Sequence, residues 1–185
     1  MKSMFRISDF NQPIGDCDIS NVNNVDMMFS GSKFNQPIGN WDVTGIDSFY
    51  YMFSGSQFNQ PIGGWDVSNA TSFRMMFGSH TYAFTHFGES RSSISKFNQD
   101  ISSWDVSNAN IMTGMFLISY FQQDVSSWDV SSVTDMQFMF SNMSNQQNYD
   151  LSGWDVLNVV QCYSFAQEAT FDSSRWPNFT NCNPN

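Results

Sequence analysis

Six aspartates occupy one position of a recurring unit: Asp18, Asp42, Asp66, Asp105, Asp129 and Asp155. Carboxylates at regular intervals can hold Ca²⁺ or a cationic ligand when folding brings them onto one surface. In a parallel sheet they would stand about 4.8 Å apart, and like charges so opposed are destabilising. Two arrangements compensate for that repulsion. In the first, each carboxylate accepts hydrogen bonds from backbone N–H groups and from the Ser or Asn of the following turn, which keeps it ionised as part of the unit's construction. In the second, the small outward neighbours (Asn40 and Thr44, Ser103 and Ser107, Ser127 and Ser131) leave an open acidic groove for a cation. The first reading takes precedence, because a residue kept in every unit is more often needed to build the unit than to bind something.

Other residues that could do chemistry are scattered. His80 and His86, with Tyr82 and Phe87 beside them, fall in an insertion over residues 78–96, GSHTYAFTHFGESRSSISK. Long loops on rigid scaffolds often carry function, so these four are insertion candidates. The plainer reading is an exposed bulge, tolerated because loop length adds little closure entropy. The two histidines lack a third ligand nearby, and no close Cys pair exists, so neither points firmly to a metal. Cys17 sits where other units carry Trp and reads as a buried thiol, while Cys162 and Cys182 could form a disulfide near the C-terminal end. Sequons at Asn69, Asn142 and Asn178 are glycosylation candidates should the source be a secreting eukaryote. No Ser, His and Asp group and no Gly-rich phosphate loop is visible, and the carboxylates form a periodic column rather than an isolated pair. No enzyme is expected.

The elements that must position these residues are a repeat. FNQPIGNWDVTGIDSFYYMFSGSQ begins at Phe34, and related units begin at Phe10, Phe58, Phe97, Phe121, Gln147 and Phe171. Four of the six steps are 24 residues; that from 58 to 97 is 39 and that from 121 to 147 is 26. A fixed period of this size marks units that bury their apolar faces only against neighbours. Columns of Phe, of Ile or Val, and of Trp (Trp41, Trp65, Trp104, Trp128, Trp154) read as internal ladders, and an Asn column (Asn11, Asn35, Asn59, Asn98, Asn148) as stacked amides. Around Trp-Asp-Val the alternation of apolar and polar residues predicts a strand. In the following stretch, such as residues 130–140, apolar residues recur every three and predict a short helix or 3₁₀ turn, with Ser131 or Ser132 as its cap.

The pattern FNQ-x-I-x-x-WDVSN-V-x-x-M-x-x-MF resembles the BspA-like leucine-rich-repeat surface proteins, whose repeat of about 26 residues occurs in bacterial and mycoplasma lipoproteins and in some protists. The resemblance runs from Met1 to about Phe171, leaving out the insertion. It implies a leucine-rich-repeat-like fold on an extracellular or cell-surface protein, with adhesion or partner binding as the usual role. Leu is nearly absent here, and the insertion and decayed tail depart from the pattern.

The expectation is therefore an α/β repeat: a right-handed leucine-rich-repeat-like solenoid of about seven coils, with a parallel sheet on one face and short helices on the other. It spans residues 1–170, starting on a partial coil, and residues 171–185 form an irregular tail. Because the first residues align with the end of a unit, the chain reads as a fragment of a longer protein. A net charge of −10 with only seven Lys and Arg argues against nucleic acid, and no apolar run is long enough for a transmembrane helix. The expected partner is a protein or glycan at the cell surface. The alternative is a building block of an extracellular fibre or wall layer, in which copies stack end to end. No cofactor is expected, with Ca²⁺ at the Asp column as the one candidate.

Overall fold

The structure, a computed structural model, describes residues 1–79, 94–143 and 149–185. Successive repeats lie on one another in parallel register, one coil per unit, and hydrogen bonds cross between residues one repeat apart. Residues 25–32 show how. Met27, Phe29 and Gly31 donate their N–H groups to Tyr50, Met52 and Ser54 of the next coil at 2.9, 2.9 and 2.8 Å. Between them, Met28, Ser30 and Ser32 donate to Val25, Met27 and Phe29 at 3.0, 3.1 and 3.0 Å, closing three local turns. The backbone thus alternates between the neighbouring coil and itself.

This overturns the expected α/β architecture. Among the described residues the only helical element is a three-residue 3₁₀ turn, Ser173–Arg175, capped by the Asp172 carboxylate on the Ser174 N–H. Extended pairing is confined to isolated parallel bridges, one column of which runs Ser48, Ser72, Ile111, Asp135, Gln161. No sheet and no α-helix forms among these residues. The Met-Phe stretches cannot be helices because two positions per unit are left-handed. One column comprises Met27, Tyr51, Met75, Gly114, Phe138 and Ser164, with φ between 54° and 59°. Four residues on come Gly31, Gly55, Ile118, Asn142 and Glu168. Positive φ at the third residue of a turn is what type II turns demand, and it is excluded from a right-handed helix. An apolar period of three therefore marked serial turns, not a helix. Ser131 caps no helix: its N–H and hydroxyl both bind Asp129.

The Trp-Asp-Val segment alternates as a strand should, with Trp41 and Val43 buried and Asp42 exposed. It does not enter a sheet, and local turns flank it on both sides. Trp41 N–H bonds Ile38 O at 3.1 Å and Ile46 N–H bonds Val43 O at 3.0 Å. Side chains carry the contact between coils instead. The indole N–H of Trp41, Trp65, Trp104 and Trp128 donates to the carbonyl of Ile14, Ile38, Ile62 and Ile101, each at 3.1 Å. The Asn column works the same way. The Asn11, Asn35, Asn59 and Asn98 side-chain oxygens accept the N–H of Asn35, Asn59, Asn98 and Gln122, each at 2.8 Å, together with the amide of the next Gln. Each Asn oxygen thus bridges to the backbone and to a Gln amide of the next coil rather than to the next Asn amide.

The core is aromatic. Phe10, Phe34, Phe58, Phe97 and Phe121 stack at 6.2–6.3 Å. Phe5, Phe29, Phe53, Phe77, Phe116 and Phe140 form a second column at 5.5–6.1 Å. The columns interleave at 3.8–4.3 Å. Near-parallel offset rings at these separations are favourable, and complete burial of so many phenylalanines supplies the driving force that missing sheets and helices would otherwise share. Column order therefore depends on the 24-residue register.

The tail lies across the last coil. Cys162 and Cys182 are disulfide-bonded. Asn181 donates its amide to Leu157 O at 2.7 Å, repeating the bond that Asn69, Asn108 and Asn158 make to Thr44, Ser68 and Ser131. Phe179 and Trp176 pack edge-on against Phe165. Cys17, expected in the core, is exposed. It stands in the first complete coil, and its short side chain lacks the indole N–H that ties later coils to their neighbours.

Candidate functional site

The aspartate column forms one exposed row. In five of the six units the carboxylate accepts two hydrogen bonds from the residue two positions on. Its partners are the N–H and hydroxyl of Ser20, Thr44, Ser68, Ser107 and Ser131, at 2.9–3.1 Å and 2.6–2.7 Å. Asp155 receives only the Leu157 N–H, because Leu has no hydroxyl. The hydroxyl, then the N–H, holds the carboxyl groups of Asp18, Asp42, Asp66, Asp105 and Asp129 below the usual carboxylate range. Neighbouring carboxylates push back: Asp18 and Asp66 oppose the shift at Asp42, and Asp129 and Asp66 oppose it at Asp105. At Asp42 and Asp105 the turn thus stabilises the charge that the neighbouring carboxylates disfavour, and all six carboxylates stay exposed.

Among the described residues no group of three or more His, Cys, Asp or Glu converges on a point where a metal ion could sit. The six carboxylates stay one per coil. His80, Tyr82, His86 and Phe87 lie outside the described residues. The base of the insertion is closed by the Ser95 N–H on the Ser79 hydroxyl at 2.8 Å. Of the sequon residues, Asn69 already spends its amide on Thr44 O at 3.1 Å. Asn142 bonds the Ser141 hydroxyl at 3.0 Å, and Asn178 is exposed in the tail.

A cavity of about 330 Å³ that sequence reasoning missed opens over the bridge column. Gly114 lines it, between Met75 and Phe138 of the left-handed column. The Met75 thioether fills the place a Gly114 side chain would take. Tyr51 and Arg74 line one end and Asp135, Gln137 and Gln161 the other. A glycine breaking a column of bulky residues is visible in the sequence, but only once the column itself has been recognised.

Stacked coils with an aromatic interior and surface rows of one residue type define a repeat protein. The chain belongs to the family described as "Mycoplasma protein of unknown function, DUF285", which matches residues 1–90 and again 80–179. No curated protein and no solved structure matches it. No helix among the described residues is long and apolar enough to cross a membrane.

Proposed function

We propose that the chain is a non-enzymatic binding module of a BspA-like cell-surface protein, and that its aspartate row receives a basic segment of a protein partner. The observation that carries this reading is the row itself: exposed carboxylates at one-coil spacing, five of the six held by their own Ser or Thr, on a scaffold whose register the Phe columns fix. Lys and Arg side chains on an extended or helical partner can pair with several such carboxylates at once, which favours fast association and salt-sensitive affinity. The disulfide agrees with an oxidising, extracellular setting, and the mycoplasma family agrees with the BspA-like pattern. End-to-end stacking in a fibre has less support, because the tail occupies the outer side of the last coil.

The test compares binding of an immobilised oligolysine peptide by the parent and by two triple variants of equal charge. Replacing Asp66, Asp105 and Asp129 with Asn should weaken binding by about tenfold or more at low salt. Replacing Asp47, Asp150 and Asp172 with Asn should leave it within about threefold. Equal losses in the two variants would reduce the row to general acidity and refute the reading.

A further inference from the structure

The cavity over Gly114 lies apart from the aspartate row, and its chemistry differs. Arg74 brings one of only seven Lys and Arg residues to one end. Gln137 and Gln161, joined by a hydrogen bond between their amides, stand with Asp135 at the other. Phe138 and Met75 give apolar walls. Thr113 completes the lining. It is 8 % exposed, and its Oγ1 is shielded from bulk solvent and has no hydrogen-bond partner. A buried hydroxyl left unpaired is costly, and here the unpaired group adjoins an open cavity.

We infer that this cavity binds a carboxylate-bearing monosaccharide, a hexuronic acid, with its carboxylate on Arg74 and its hydroxyls toward Gln137, Gln161, Asp135 and Thr113. Each element of that class answers a feature of the site. A volume of about 330 Å³ lies at the small end of ligand sites and suits one ring rather than a peptide. Amides both donate and accept, as vicinal hydroxyls require, and Asp135 adds an acceptor whose own Oδ1 is steadied by the Gln137 N–H at 3.0 Å. The single guanidinium offers a planar fork for one carboxylate. A polyphosphate would meet one cation and the Asp135 charge, which disfavours it. Phe138 and Met75 can cover the C–H face of the ring. Met75 is unbranched and adaptable, and its thioether lies over Gly114 beside Thr113 in the lining.

Titration of the full chain with glucuronic acid, followed by calorimetry or amide chemical shifts, tests this, with glucose and glycine in parallel. A single sugar in a shallow site should bind glucuronic acid with a dissociation constant of about 1 mM and glucose about tenfold more weakly. Arg74→Gln should remove that preference and, because the exposed Arg74 side chain also hydrogen-bonds Tyr51, lower the thermal midpoint only slightly. Gly114→Met puts a side chain where the Met75 thioether already lies, which forces one of the two into the cavity, and should abolish binding. Should that variant fold poorly, Thr113→Val keeps the volume and should weaken both sugars by about fivefold. The inference is overturned if glucuronic acid gives no saturable response up to about 20 mM, if glucose binds equally well, if glycine competes for the same resonances, or if Arg74→Gln and Thr113→Val bind like the parent.

Discussion

Trp104 and Trp154 occupy the same place in their coils and are 3 % and 5 % exposed, yet their indole nitrogens differ. Trp104 Nε1–H donates to Ile62 O at 3.1 Å, whereas Trp154 Nε1 is buried with no hydrogen-bond partner. Replacing either with Phe removes the same atoms from a similarly buried site, so the transfer and cavity contributions largely cancel in the comparison. What remains is the hydrogen bond. Trp104→Phe loses a net contribution of about 0.5–1.5 kcal/mol, toward the low end because Ile62 O keeps the Trp65 N–H at 3.1 Å. Trp154→Phe instead removes an unpaired buried donor, whose desolvation costs about 1–3 kcal/mol. The first variant should therefore be the less stable by about 2 kcal/mol, a gap of about 4–8 °C in thermal midpoint for a chain of this length. Thermal and urea unfolding with the disulfide intact measure it, and Trp65→Phe and Trp128→Phe should fall with Trp104→Phe. Equal losses at 104 and 154, or a larger loss at 154, would refute the assignment of inter-coil hydrogen bonding to the indole column.

Reducing the Cys162–Cys182 disulfide, or replacing both residues with Ser, should release the tail and cost about 3 kcal/mol, since the bond closes a loop of 20 residues; unchanged urea midpoints with and without reductant would contradict its role in holding the tail. The lowered carboxyl pKa values of Asp18, Asp42, Asp66, Asp105 and Asp129 mean that the folded state binds protons less readily than the unfolded chain. Their contribution is complete above the ordinary value of 3.8 and disappears as pH falls through the lowered folded values. Stability should accordingly be flat above about pH 5 and fall steeply in acid. The Asp66, Asp105 and Asp129 to Asn triple variant keeps a side-chain oxygen for each turn and should show a shallower acid limb. An identical acid limb in parent and variant would remove these turns from the account.

The period, the buried columns and the structural duty of the aspartates were legible in the sequence, because repetition exposes whichever side chain the unit needs. Phe34, Phe58 and Phe97 could only be internal when the same ring returned at the same place, and a Ser or Thr two residues after five of the six aspartates announced the turn that keeps them charged. Secondary structure was not legible. Apolar residues every three positions fit a helical turn and a run of type II turns equally well, and the choice falls on backbone φ at Met27, Tyr51, Met75 and Phe138, residue types that carry no left-handed signal of their own. Only the stacked coil decides it, because Met27, Phe29 and Gly31 gain a carbonyl on the next coil that an isolated segment lacks. The cavity over Gly114 is tertiary for the same reason. Gly114 meets Met75 and Phe138 only in space, since they lie 39 and 24 residues away in the chain.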